Sequence, residues 1–257
     1  MVPEGYKLVF EDDFNGDSLD ITKWKYGRSG KRRCGYNAES QVSVENGNLI
    51  IRQKYFDGEF GPGWYAGVIR TKQEFIRGYF EIRCICNETR RFNTDRLNPF
   101  WSAFWLSTMP PRTPYKAESS LGGPGGAEID VIEALENQGG LPGVESNIHV
   151  KGMKKPYLIE STDHPPVFRV NIPDCFTAYH TYALEWTDKV YRFFCDGKMY
   201  AETGWGDGVS EVPEHPIISL EHAFSDEGIP LDTESEFIVD YVRIYQKDDG
   251  VIVMPEA

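Results

Sequence analysis

No stretch of this chain approaches the run of about 18 apolar residues that a membrane-spanning helix needs. No charged, apolar leader opens it either: Met1-Val2-Pro3-Glu4-Gly5 runs straight into strand-forming residues. Basic residues are in short supply. With 27 Lys and Arg against 40 Asp and Glu, the formal net charge is −13, which argues against nucleic acid and anionic membrane surfaces as partners. The same balance weighs against a polyanionic substrate, although Arg90, Arg91 and Arg96 form one local basic cluster. Cysteines are few: Cys34, Cys84, Cys86, Cys175 and Cys195 are odd in number and match no zinc spacing. Cys84 and Cys86 lie two apart on one strand, face the same side and suit a mutual disulfide poorly. Buried thiols are the expectation for most of the five. Long helical periods, internal repeats, low-complexity tracts and linker-like segments are missing as well.

What is present is a succession of short strand signals separated by turn signals. Strands are expected over 6–13, 41–44, 49–53, 65–71, 78–86, 102–106, 127–135, 144–150, 181–186, 191–195, 198–202, 217–222 and 237–246. Asn46-Gly47 and Asp196-Gly197 each sit between two such runs, the strongest short-range signal for a hairpin. The fold class expected is all-β, an antiparallel sandwich. At 257 residues it fits one domain with a sizeable core. Aromatic residues make up 14% of the chain; in an all-β protein they serve as platforms for flat ligands or simply fill the core. The segments 87–99 and 108–126 are long loops, readable as functional or as surface decoration.

The run Glu128-Ile129-Asp130-Val131-Ile132-Glu133 carries the most chemical information. Its β-branched residues make it a strand, on which Glu128 and Asp130 share one face while Ile129 and Val131 take the other. Regular alternation would send Glu133 to the wrong side. One extra residue, a β-bulge near Val131 and Ile132, returns it to the face of the other two acids. Like charges on one wall repel, which a strand built for stability alone would avoid. One reading is a solvated acidic face. The other is a cleft that keeps one carboxylate ionised and a neighbour protonated.

Further motifs appear in order along the chain: Glu11-Asp12-Asp13-Phe14-Asn15-Gly16 with Leu19-Asp20 and Trp24; Val44 to Ile51 around Asn46-Gly47; Thr71-Lys72 followed by Gly78-Tyr79-Phe80-Glu81-Ile82-Arg83; Trp101-Ser102-Ala103-Phe104-Trp105-Leu106; Tyr182-Ala183-Leu184-Glu185-Trp186; and Asp240-Tyr241-Val242-Arg243-Ile244-Tyr245. Together with the acidic run they resemble glycoside hydrolase family 16, over roughly residues 6–246. The bulged spacing of the acids resembles that of its laminarinase, agarase and carrageenase branch. Ser102 departs from the Pro that laminarinases usually carry after the first Trp.

That resemblance implies a β-jelly-roll of two antiparallel sheets with a concave cleft. It also implies a retaining endo-glycanase acting on a polysaccharide, β-1,3-glucan first, with agarose, porphyran, carrageenan or host O-glycans as alternatives. Glu128 would be the nucleophile, Glu133 the general acid and base, and Asp130 the group tuning the nucleophile, in line with same-face acids about 5 Å apart in retaining enzymes. Trp101 and Trp105, four apart on a strand, are candidate sugar platforms. His149, Arg70 and Asn37 are candidates for substrate contacts, with Trp64, Trp205 and Glu221 behind them. A structural calcium on Glu11, Gly47 and Asp240 is implied too, with oxygen donors suited to that ion. The resemblance also implies an extracellular or cell-surface location and a monomer. A jelly-roll lectin that only binds, and a transglycosylase using the same intermediate, stand as other classes of explanation.

Overall fold

The computed structural model describes residues 2–87, 100–107, 126–134, 142–149, 168–204, 209–222 and 229–253. Among them the secondary structure is almost entirely strand, with one short 3₁₀ turn at Glu39–Gln41. The hairpins form where the turn chemistry requires them. Asn46 and Gly47 take φ of 53° and 74°, and Asp196 and Gly197 take 48° and 73°. This is the double left-handed geometry of a type I′ turn, whose twist matches that of its flanking strands.

Two large sheets build most of the described fold, beside a small one in which Val251–Val253 pairs with Glu74–Ile76. The first runs, edge to edge, Phe168–Asn171, Gly143–His149, Glu128–Ala134, Phe100–Ser107, His215–His222, Gly61–Thr71 and Trp24–Tyr26, every pairing antiparallel. The second contains Lys198–Thr203, Tyr191–Cys195, His180–Trp186, Gly78–Ile85, Glu234–Gln246, Asn48–Gly58 and Val42–Glu45, with Lys7–Asp12 sharing the edge of Glu234–Gln246. Gly61–Thr71 joins the two sheets. Its first half pairs with Asn48–Gly58, its second with His215–His222. The apolar faces meet in one cluster that takes Phe80, Ile82, Leu184 and Phe193 from the second sheet, and Phe104, Ile129, Ile148 and Leu220 from the first. This is the jelly-roll sandwich expected.

The opening motif has a structural task. The Trp24 indole N–H donates to Asp12 Oδ2 at 2.7 Å, Phe14 N donates to Asp12 Oδ1 at 3.0 Å, and the Trp24 ring packs edge-on against Phe10. A hydrogen bond to a buried carboxylate contributes about 1.5–3 kcal/mol, so this knot fixes the first strand to the sandwich.

The strands legible in the sequence are present, most with shifted ends and Tyr191–Cys195 as expected. Asn48–Gly58 and Gly61–Thr71 are longer than expected, and Trp24–Tyr26, Gly30–Arg32, Gly35–Asn37, Glu74–Ile76, Phe168–Asn171 and Val251–Val253 are additional. All but Phe168–Asn171 of the additions span three residues, too few for an alternating pattern to register.

Candidate active site

The strand Glu128–Ala134 pairs on both sides, and both ladders break at the same place. Against Phe100–Ser107, Phe104 opposes Ile132 while the next residue, Trp105, opposes Asp130, leaving Val131 over. Against Gly143–His149, Asp130 opposes Asn147 and Glu133 opposes Glu145, so Val131 and Ile132 together face Ser146 alone. That is a bulge of one residue. Its mark is that the consecutive residues Val131 and Ile132 are both fully buried in the core. Beyond it, Glu133 emerges on the face of Glu128 and Asp130.

The three acids line a cavity of about 230 Å³ with Trp101, Ala103, Trp105, His149, Ser219, Glu221, Arg32 and Arg33. Register explains the company. Asp130 stands beside Trp105, Glu133 beside Ala103 and then Ser219, and Trp101 beside Glu221. Directly paired residues on neighbouring strands share a face, so the wall is set by the sheet itself. Trp105 is fixed by its indole N–H, which donates to Ser219 Oγ at 3.1 Å.

Burial divides the acids. Glu128 keeps contact with solvent, whereas Asp130 and Glu133 are only 4% and 6% exposed. Burial first, and then the charges of Asp130, Glu145 and Glu128, push the Glu133 carboxyl up to about 9, with Arg33 pulling slightly the other way. Glu133 is therefore protonated at neutral pH, the state a proton donor needs. His149 Nε2 lies 3.3 Å from Asp130 Oδ2 and 3.1 Å from Asn147 Nδ2. The first is an ion-pair distance for a charged ring; in the second, an unprotonated Nε2 accepts from the amide.

Two charged residues reach the cavity that the sequence reading missed. Arg32 donates through Nε and Nη2 to both Glu221 oxygens at 3.0 and 2.9 Å, and Arg33 Nε donates to Glu221 Oε2 at 2.7 Å. They ride on the hairpin of Gly30–Arg32 and Gly35–Asn37, which is clamped against His215–His222 by Cys34 N donating to His222 O. A Cβ on Gly35 would come within 2.6 Å of Trp64 O and 2.8 Å of His222 Cβ. Only glycine permits that approach.

The other candidates fall in different places. Arg70 stands on the cleft face, in the row of Asp130 and Trp105 but two strands beyond Trp105, where its Nη1 donates to His215 Nε2 at 2.8 Å. It does not line the cavity, and neither does Asn37, which is buried beside Ala66. Trp64, a secondary candidate for substrate contact, is a core residue: it is 1% exposed and stacks on the His222 ring at 5.3 Å. Trp205, the cluster of Arg90, Arg91 and Arg96, and most of the two long loops lie outside the described residues.

The two carboxylates of the implied calcium set have guanidinium partners in this structure. Glu11 Oε1 accepts from Arg243 Nε at 2.7 Å, and Asp240 accepts from Arg83, so both carboxylates are turned to guanidinium groups. Gly47 fits the turn by its positive φ instead. Among the described residues, three side-chain donor atoms come within 4.8 Å of one another at Glu128, Asp130 and His149, and again at His180, Cys195 and Asp196. The first group is already accounted for by the cleft.

Residues 31–241, well over half of the chain, match the family model of glycosyl hydrolases family 16. A beta-glucanase of Rhodothermus marinus is 27% identical, over 94% of this chain and 85% of its own length. Beta-porphyranase E of Zobellia galactanivorans is 25% identical, over 95% of this chain and 89% of its own. The X-ray structure of the laminarinase from Rhodothermus marinus has the same fold, with a TM-score of 0.73 at 23% identity, over 94% of this chain and 97% of that one.

Proposed function

The chain belongs to glycosyl hydrolases family 16 and is a glycoside hydrolase, and from that premise we propose that it cleaves internal β-1,3 linkages of a glucan with retention of configuration. The observation that carries this reading is the bulge, which sets a partly solvated Glu128 and a buried Glu133, its carboxyl pushed up by burial, on one face of one strand. In the proposed reaction Glu128 attacks the anomeric carbon and the glycosidic bond to the leaving sugar breaks. The Glu133 proton passes to the departing oxygen. The covalent glycosyl-enzyme is then hydrolysed by a water that gives a proton back to Glu133, restoring both groups. Asp130, beside Glu128 on the face and close to His149, fixes the charge around the nucleophile. Trp101 and Trp105 offer apolar faces to the sugar rings.

The identity of the β-glucanase relative and the neutral donors Ser219 and Trp105 beside the acids support a glucan. A second reading, a galactan bearing anionic groups, is favoured by Arg32 and Arg33 in the cavity wall and by the porphyranase relative.

A reducing-end assay on laminarin, mixed-linkage β-glucan, agarose, porphyran, carrageenan and mucin O-glycans, with Glu128→Gln as control, tests the proposal. New reducing ends from laminarin, lost in the variant, are expected. Turnover confined to galactans would overturn the substrate and keep the mechanism. A product anomer opposite to that of the substrate would overturn the mechanism.

A further inference from the structure

On the second sheet, away from the cleft, the His180 imidazole is bracketed by two carboxylates. Its Nδ1 lies 2.8 Å from Asp196 Oδ2 and its Nε2 lies 3.1 Å from Asp174 Oδ1. A neutral imidazole carries one N–H. It can satisfy one of these oxygens, but it then sets a lone pair against the other at hydrogen-bond distance. A proton or a metal ion placed between the ring and the second oxygen relieves that contact. The position between Nδ1 and Asp196 has a further neighbour, the Cys195 thiol, which hydrogen-bonds the Asp196 carboxylate. The Cys195 sulfur, His180 and Asp196 each offer a donor atom, and these three atoms lie within 4.8 Å of one another.

We propose that His180 Nδ1, Cys195 Sγ and Asp196 Oδ2 bind a thiophilic divalent cation of the zinc class. The donor set is one such an ion takes: imidazole nitrogen, thiolate sulfur and carboxylate oxygen, with a water completing a tetrahedron. Charge balances as well. A neutral imidazole, a thiolate and a carboxylate together cancel the two positive charges of the ion, the Cys195 proton leaving to solvent as the sulfur binds. Asp174 supplies the outer partner that metal-bound histidines use, accepting from Nε2–H and so leaving the Nδ1 lone pair for the metal.

The local fold pre-forms this arrangement. His180 begins the strand His180–Trp186, and Cys195 ends Tyr191–Cys195, its partner in the ladder. Asp196 holds a positive φ of 48° in the turn that follows. Thr181 pins that turn from both directions. Asp196 N donates to Thr181 O at 2.7 Å, and Thr181 N donates to Asp196 Oδ1 at 2.9 Å. The backbone thus presents Oδ2 to His180 whether or not an ion is bound. The Asp196 side chain is 54% exposed, which leaves an approach for the ion and for its water. Since none of these residues lines the cleft, the bound ion would tie the strand start to its hairpin and stabilise the fold without entering the reaction.

The test is cobalt titration of the chelator-treated full chain, carried out with Cys34→Ser because Cys34 is an exposed thiol. The expected result is thiolate-to-cobalt charge-transfer absorption saturating at about one equivalent and displaced by zinc, with a zinc-dependent rise in melting temperature. Cys195→Ser removes both signals, and Asp174→Asn weakens zinc roughly ten- to a hundredfold. Polysaccharide cleavage stays the same in either variant. No absorption, absorption that persists in Cys195→Ser, or a doubly protonated His180 under saturating zinc by NMR would each overturn the site in favour of a proton-held ion pair.

Discussion

The Ser146 hydroxyl donates to the carbonyl of Val131 over 2.6 Å, placing the lone residue opposite the bulge in direct hold of the residue the ladder leaves over. With its proton committed there, Ser146 Oγ accepts from the Tyr200 hydroxyl at 2.5 Å. Ser146 is fully covered, and its bond to Val131 is buried. Ser146→Ala leaves the Val131 carbonyl and the Tyr200 hydroxyl with a lost partner. Leaving such groups unsatisfied costs about 1–3 kcal/mol. Chemical denaturation is expected to report a loss in that range. Because Glu133 lies just beyond the bulge, kcat is expected to fall more than KM changes. An unchanged stability and kcat would mean that the bulge holds without this contact.

Glu145 stands directly opposite Glu133 and is itself held by Arg169 Nε at 2.5 Å. Its charge is one of the causes that keep the Glu133 proton in place, after burial and Asp130. A general acid works while protonated, so activity falls as pH rises through its pKa. Glu145→Gln removes a negative charge and is expected to move the alkaline limb of kcat/KM to lower pH. Arg169→Ala uncovers that charge and is expected to move the limb the other way. Opposite shifts from the two variants are the signature to look for in the pH profile. Shifts in the same direction would point to a general loosening of the strand.

The same proton has a consequence for stability. The folded pKa of Glu133 is raised from 4.5 to about 9. The native state therefore holds a proton that the unfolded chain has lost between those values, and stability falls as pH rises through that window. Glu133→Gln removes the penalty along with the acid. Melting temperatures are expected to show the variant more stable than the parent at pH 8, by an amount on the order of a few kcal/mol. The two should converge below about pH 4. Cleavage should be lost at every pH.

The acidic strand could be read from its residues because a strand has a period of two, and the extra residue between Asp130 and Glu133 has one economical explanation. The Asn46-Gly47 and Asp196-Gly197 hairpins were legible for a similar reason, since few residue pairs accept two successive left-handed conformations. Trp64 was harder. A tryptophan serves equally as a sugar platform or as core, and only the ring stacked on His222 decides between them. Arg32 and Arg33 were invisible as cleft residues, because a short charged run reads as solvated until the sheet brings Glu221, far along the chain, beneath it. Glu145 became meaningful only through register. The calcium set came from resemblance alone, and here Arg243 and Arg83 take its carboxylates.

The remaining prediction concerns Arg33, whose guanidinium sits 4.3 Å from the centre of the Trp101 ring while its Nε holds Glu221. Arg33 adopts a φ of 50°, a strained choice for a long side chain, and Glu221 is 5% exposed with both arginines on it. A conformation of that kind persists only where its surroundings enforce it. The contact with the ring contributes about 0.5–2 kcal/mol at a partly desolvated site, and it holds one face of Trp101 in the cavity wall. Arg33→Ala is expected to raise KM several-fold through the loosened ring. Because Arg33 also draws the Glu133 proton off slightly, the variant should extend the alkaline limb upward. Arg33→Lys keeps the charge but lacks the planar fork, so it should restore the pH profile and leave KM high. On a sulfated galactan the loss for Arg33→Ala should exceed that on laminarin by about tenfold if the arginines meet an anionic group. Equal losses on both substrates would assign Arg33 to holding Trp101 alone.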